Sequence, residues 1–169
     1  MAYDGSVTTS DLAEPNWLND DEMRLWRSYI EVSVRLVSAL DARLKAAAGV
    51  SFDDYEVLVH LSEASDRRLR MAELSDRLIH SRSRLTQRID RLARRGLVRR
   101  EKCEGDRRGT WAVLTDEGLA TIEELAPDHV RAVRQHLFDH VGVEEQEAMT
   151  AAFERLALHL RSICDGEQA

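Results

Sequence analysis

A mostly α-helical fold carrying one small β-sheet is what this sequence predicts, and three observations predict it. Only two prolines and eight glycines interrupt 169 residues, and the abundant Leu, Ala, Arg and Glu are all good helix formers. Apolar residues recur at three- and four-residue intervals over most of the chain. The exception is a pair of short runs, residues 97–101 and 110–114, that flank a glycine-containing polar stretch and read as two strands. A chain of this length forms one domain, or two closely joined parts, and buries about 70% of its unfolded surface.

Residues 1–16 are polar, acidic and aperiodic, and read as a disordered tail. Asn19 opens the first helix with Glu22 as capping-box partner, and Leu18 and Met23 stand at the spacing of a hydrophobic staple. The helix runs to Ala48 and stops at Gly49. Its apolar residues form two adjacent stripes, Trp26, Ile30, Val37, Leu40 and Leu44 beside Leu25, Tyr29, Val32, Leu36 and Ala39. So wide an apolar arc needs cover on two sides, so a homodimer is expected.

Ser51 caps the second helix, with Asp54 three residues on, and this helix buries Tyr55, Leu58 and Leu61. After the polar break Ser62–Asp66 come a short strand, Arg67–Arg70, and a poorly capped short helix, Met71–Leu78. Ser81 is expected to cap the helix Arg82–Arg95, which Gly96 ends. Strands Leu97–Glu101 and Thr110–Leu114 then flank the turn Lys102–Gly109. Thr115 caps a long helix with its stripe at Leu119, Ile122, Ala126, Val130, Val133 and Leu137. Pro127 is expected to kink that helix without ending it. A last helix, about Glu144 to Cys164, carries Met149, Phe153, Leu156, Leu160 and Ile163 on one face.

The order helix, helix, strand, helix, helix, strand, turn, strand is that of a winged helix–turn–helix flanked by long helices. The chain accordingly divides into a tail (1–16), an N-terminal dimerisation helix (17–50), a winged helix–turn–helix DNA-binding lobe (51–114) and C-terminal dimerisation helices (115–165).

Charge agrees with that order. Residues 81–108 hold eleven Lys and Arg against four acids, a net +7 in a chain whose total is −7, leaving −14 elsewhere. One concentrated cationic face on a molecule otherwise repelled by polyanions is the footprint of a phosphate-binding surface. On a helical wheel of Arg82–Arg95, Leu85, Ile89 and Leu92 form a narrow core stripe, and Ser83, Gln87, Asp90 and Arg94 point directly away. Arg84 and Arg91 lie on one flank of that outward face and Thr86 on the other. Donors of these kinds suit base edges in a major groove, which admits one helix. A helix enters by its N-terminus, so Ser83, Arg84 and Gln87 are the expected base readers, and Arg82, Arg91, Arg94 and Arg95 the expected phosphate contacts. Arg88 lies nearer the core stripe and equally suits an internal salt bridge. A merely solvated charged face would mix its signs more evenly. In the turn, Arg107 and Arg108 suit a narrow minor groove, with Asp106 orienting a neighbouring arginine. An ordinary hairpin turn is the plainer alternative there. Trp111 is expected to pack the hairpin against the helix Arg82–Arg95.

Arg70–Leu78 (RMAELSDRL), Ser81–Glu101 (SRSRLTQRIDRLARRGLVRRE) and Asp106–Gly118 (DRRGTWAVLTDEG) together resemble the winged-helix core of the MarR family of bacterial transcription regulators. The resemblance spans roughly residues 20–164, and its most specific part is the wing pair Asp106 and Arg108 followed by LTDEG. It implies a dimer joined through the N- and C-terminal helices, with two recognition helices on a palindromic operator. It implies that Arg108 enters the minor groove while Asp106 orients an adjacent Arg. It also implies, in many members, a repressor released by a small anionic or phenolic ligand bound between the dimerisation helices and the DNA-binding lobe. Trp26, Tyr29, Tyr55 and His60 would line such a cleft, and plain core packing accounts for each of them as well. The chain departs from the family pattern at Arg70, where a capping Ser or Thr is common, and at Val143, in place of the usual cap before the last helix.

Other signals are weaker. His136 and His140 stand at i, i+4 with Asp139 between them, a metal-ligand spacing that a solvated or interfacial pair explains more simply. Cys103 lies among cations that favour a thiolate, but redox-sensing members of the family use a cysteine near the start of the first long helix, where this chain has none. Cys164 reads as incidental. With no GxSxG, phosphate loop or HExxH, an enzyme is not expected, nor is a cofactor or a metal. No apolar run spans a bilayer and no export signal is evident, so the expected setting is the cytoplasm. The sequence thus predicts a homodimeric regulator, a repressor, that binds double-stranded DNA. The alternatives are a ligand-independent architectural dimer and a winged-helix protein-interaction module.

Overall fold

The computed structural model describes residues 15–78, 81–103 and 106–166, and the side chains of all these except 106–108 and 164–166. Most of the expected tail, the turn residues Glu104 and Gly105, and the side chains of Asp106, Arg107, Arg108 and Cys164 therefore lie outside the described residues. The chain divides into two compact units, residues 1–35 and 36–169.

The first unit holds most of helix α1 (Asp20–Ala48), and the predicted capping box opens it. The Glu22 N–H donates to Asn19 Oδ1 at 2.9 Å and the Asn19 N–H donates to Glu22 Oε2 at 2.8 Å. Two of the helix's orphan donors are satisfied in this way. Leu25, Trp26, Tyr29, Ile30 and Val32 are all exposed on it.

The second unit begins with the end of α1, where Leu40 and Leu44 are buried. Helix α2 (Phe52–Ser62) starts at Ser51, whose Oγ accepts from the Asp54 N–H at 3.1 Å, and Asp41 of α1 accepts the Phe52 N–H at 3.0 Å. There follow β1 (Arg68–Arg70), α3 (Met71–Arg77), α4 (Arg82–Arg94), β2 (Val98–Cys103), β3 (Asp106–Leu114), α5 (Asp116–His136) and α6 (Val143–Gly166). The sheet is antiparallel in the order β1-β3-β2. Leu58 and Leu61 of α2, Leu74 of α3, and Leu85, Ile89 and Leu92 of α4 are fully buried in one cluster with Ala112 and Leu114 of β3. Each large side chain so buried contributes about 1.5–3 kcal/mol, enough to fix α4 against α2, α3 and the sheet.

Thr115 caps α5 as predicted, accepting from the Gly118 N–H at 3.0 Å while donating to Gly96 O at 2.7 Å. Gly118 is required for a different reason. A Cβ there would stand 2.2 Å from Leu97 O, so the first turn of α5 lies directly on the chain that enters β2. The predicted stops Gly49 and Gly96 take positive φ, 63° and 76°, a conformation that glycine adopts without the steric cost a Cβ brings. Helix α5 continues through Pro127 to His136.

Several expectations need correcting. Ser81 stands at the start of α4 with extended backbone but makes no capping bond to it, and its Oγ lies 3.3 Å from Ser83 Oγ instead. The wing strands are longer than expected, because the ladder continues through Lys102↔Thr110 and, after a register shift, Cys103↔Asp106. Backbone pairing needs no apolar alternation, so the charged residues that read as a turn belong to strands. Trp111 does not pack against α4. It pairs across from Arg70, and Arg68 and Arg70 lie over its ring at 5.0 and 5.4 Å. Strand alternation turns its neighbour Ala112 to the core and Trp111 to the other face. Helix α6 begins at Val143, and Glu145 Oε2 accepts the Gly142 N–H at 2.7 Å, closing the helix start that Val143 itself cannot cap.

Helix α5 is tied to the end of α1 by Arg43, which donates from Nε and Nη2 to Asp128 at 3.0–3.2 Å. Beside Asp128, the ring of His129 packs 4.7 Å from Tyr55, and its Nδ1 meets no partner among the described residues. Burial holds the His129 imidazole below its ordinary value of 6.5 and raises the Tyr55 hydroxyl above its own. An unfolded chain therefore binds a proton at this position more readily than the folded one does. Stability from His129 is present above about pH 6.5 and declines as pH falls below it. Thermal unfolding of His129→Phe from pH 7.5 to 5.5 is expected to show a smaller decline than the unaltered chain, and equal declines would remove His129 as the cause.

Candidate nucleic-acid interface

Helix α4 presents to solvent what the sequence predicted of it. Arg82, Ser83, Arg84, Thr86, Gln87, Arg91 and Arg94 are all exposed, while Leu85, Ile89 and Leu92 fix the opposite face in the core. Among the described residues no hydrogen bond or ion pair engages the side chains of Arg82, Arg84 or Gln87. The Thr86 hydroxyl donates back to Arg82 O at 2.8 Å, and Arg94 Nε donates to Asp90 O at 3.3 Å.

Three other arginines are held by the protein itself. Arg91 donates from Nε and Nη2 to the two carboxylate oxygens of Asp54, at 3.1 and 2.6 Å. Arg88 pairs with Asp53 and lies 3.7 Å from Asp54. Asp54 is 3% exposed, so its charge is tolerable only because these guanidiniums neutralise it. The same carboxylate holds Arg91 protonated even more firmly than usual. Arg95 reaches back to α1, donating to Gly49 O at 2.9 Å and Ala48 O at 2.8 Å, carbonyls that the helix end leaves unpaired. The internal salt bridge offered as one reading of Arg88 is therefore present. The donors of Arg91 and Arg95, expected at phosphates, are turned inward as struts between α4 and helices α2 and α1. Sequence reading passed over Asp53 and Asp54 as members of this group. Their one signal was a pair of acids two and three residues past Ser51, the second of which cap geometry already explained.

A MarR family model matches residues 48–109, from the end of α1 to the second wing strand. Over 161 residues the chain is 31% identical to the transcriptional regulator PecS of Dickeya dadantii, covering 91% of this chain and 95% of that one. The chain belongs to the MarR family. It is also 29% identical to the transcriptional repressor YetL of Bacillus subtilis, over 80% of this chain and 83% of that one. The solved MarR-family regulator Sco3205 of Streptomyces coelicolor, in complex with DNA, superposes with a TM-score of 0.83 at 43% identity, covering 85% of this chain and 90% of that one. MarR proteins are transcriptional regulators and not enzymes, and the winged-helix architecture of this chain is theirs.

The four residues offered for an effector cleft fall in two groups. Trp26 and Tyr29 stack on each other along α1, with ring centroids 6.3 Å apart and both rings exposed. On α2, Tyr55 is buried against His129 and His60 is half-buried. The helical face that would have joined His136 to His140 does not form. Helix α5 ends at His136, Leu137 leaves helical geometry, and His140 lies in a separate 3-10 turn. No cluster of three or more metal-ligating side chains occurs among the described residues, and no described helix is long and apolar enough to cross a membrane. Cys103 is buried at the end of β2.

Proposed function

We propose that this MarR-family regulator is a homodimeric repressor that binds a palindromic duplex and is released by a small aromatic or phenolic ligand. One observation carries the reading: α4 is locked by its buried face and its Asp53 and Asp54 pairs, while among the described residues the side chains of Arg82, Arg84 and Gln87 at its N-terminal half engage no partner and Ser83 meets only Ser81. Rigid placement with unengaged donors is what base reading in a major groove requires. Ser83, Arg84 and Gln87 read base edges, and Arg82 and Arg94 meet phosphates. In the wing, Arg107 and Arg108 approach the minor groove, with Asp106 orienting a neighbouring arginine. Thr86 borders the same face. Dimerisation runs through residues 17–50 and 115–165, whose exposed apolar residues need cover, and the lobe 51–114 holds the DNA. A dimer bound across an operator represses by occluding it, and the relative YetL is named a transcriptional repressor. Trp26, Tyr29, Tyr55 and His60 are the residues offered to the ligand.

Selection of bound duplexes from a random pool tests the whole reading. Two half-sites with centres about 10 bp apart are expected, since two recognition helices must meet successive major grooves. Random, unenriched sequence after selection would leave only the architectural alternative, and no binding at low salt would leave the protein-interaction module. Against the selected duplex, Gln87→Ala is expected to cost about 1–3 kcal/mol and to relax preference at a single base position. Equal losses across all sequences would make Gln87 a backbone contact. For the ligand, a thermal-shift screen with aromatic acids must find one that stabilises the free protein and weakens duplex binding.

A further inference from the structure

Between α4 and the wing lies an open groove of about 400 Å³, whose lining includes Arg82 and Thr86 of α4, Arg100 of β2, and Gly109 and Thr110 of β3. Arg100 is the unexpected member. It pairs directly across from Ala112, a fully buried residue, so it sits on the core-facing side of β2, where an apolar residue would serve packing better. Its long side chain instead crosses to α4, donating from Nη2 to Thr86 O at 3.3 Å and pairing with Asp90 at 3.1 Å. The side chain stays about a third exposed, and its Nε and Nη1 meet no acceptor among the described residues. Arg82 stands exposed on the same groove, with its side chain unengaged among the described residues.

Duplex geometry gives this groove a use. A helix in the major groove and a hairpin in the adjacent minor groove are separated by one sugar–phosphate strand, and that strand must pass between them. We propose that the groove between α4 and the wing seats a phosphodiester of that strand, with Arg100, steadied by Asp90 and the Thr86 carbonyl, as its principal cation and Arg82 opposite. The inference rests on the proposed DNA binding and deepens it by adding Arg100, which the charge pattern alone did not single out. Arg100 faces the backbone that divides the grooves. It is a positioning contact, blind to sequence.

The test uses the full-length chain and its selected duplex, titrated over a range of salt. Arg100→Gln is expected to lower the slope of log affinity against log salt by about 0.9, the value of one phosphate, with the base preferences unchanged. Arg100→Lys is expected to keep the slope. A series of duplexes, each with one uncharged methylphosphonate linkage, then places the contact. One linkage is expected to weaken the unaltered chain about tenfold and Arg100→Gln hardly at all, since the charge it would lose is no longer read. An unchanged slope for Arg100→Gln, in a variant with unaltered thermal midpoint, overturns the inference. So does a methylphosphonate profile identical to that of the unaltered chain. If inorganic phosphate at matched ionic strength stabilises the unaltered chain but not Arg100→Gln, and leaves duplex affinity unchanged, the groove takes a free anion and the duplex assignment fails. Should the unaltered chain bind no duplex at low salt, the proposed function falls first, and this site with it.

Discussion

Arg91→Ala is expected to destabilise the fold by about 2–3 kcal/mol while leaving the salt slope of duplex binding unchanged. Removing one member of a buried ion pair strands the other, at a typical cost of about 3–5 kcal/mol. Here Asp54 is stranded, with its side chain 4% exposed. The expected loss falls just below that range because Arg88 Nη1 remains 3.7 Å away and because Arg91 is itself about half exposed. Urea unfolding should show a lower midpoint at an unchanged m-value. Adding Asp54→Ala should recover part of the loss, since the double variant no longer buries an unpaired carboxylate. The opposite pattern, intact stability with a slope lower by about 0.9, would return Arg91 to the phosphates. Specific affinity should nevertheless fall in the variant, because α4 loses its bidentate strut to α2.

That contrast shows where sequence reading reaches its limit. Caps are local: Asn19 with Glu22, Ser51 with Asp54, and Thr115 with Gly118 each involve partners three residues apart, and all three are legible from spacing alone. The core face of α4 is equally legible, because Leu85, Ile89 and Leu92 follow the helical period. The destination of each arginine is not. Arg91 and Asp54 are 37 residues apart, and Arg95 and Gly49 are 46 apart. Which acceptor a long side chain finds depends on how α4 crosses α2 and the end of α1. Charge density thus marks an exposed basic face without saying which of its arginines the protein itself engages, and it passed over Arg100, whose placement depends on strand parity. Trp111 was misplaced for the same reason, since one step of register decides which face of a sheet a ring covers. His136 and His140 failed differently, because an i, i+4 spacing means a shared face only while the helix lasts.

The other large effect concerns assembly. Met149, Phe153, Leu156, Leu160 and Ile163 recur on one stripe of α6, and all are between 37% and 57% exposed. A row of this kind on a single chain exceeds what lone surface apolar residues explain and calls for a partner surface. The proposed homodimer would supply one, because a two-fold axis sets a stripe against its own copy. Leu156→Arg places a charge mid-stripe without touching the core of the protomer. It is expected to yield a monomer in sedimentation, with helical circular dichroism retained. Affinity for a duplex bearing both half-sites should drop by about 100-fold or more, since the second recognition helix no longer binds as a tethered neighbour. Affinity for a duplex with one half-site should change little. A Leu156→Arg chain that stays dimeric moves the interface elsewhere, and a monomer that keeps full affinity for the palindrome removes the need for two recognition helices.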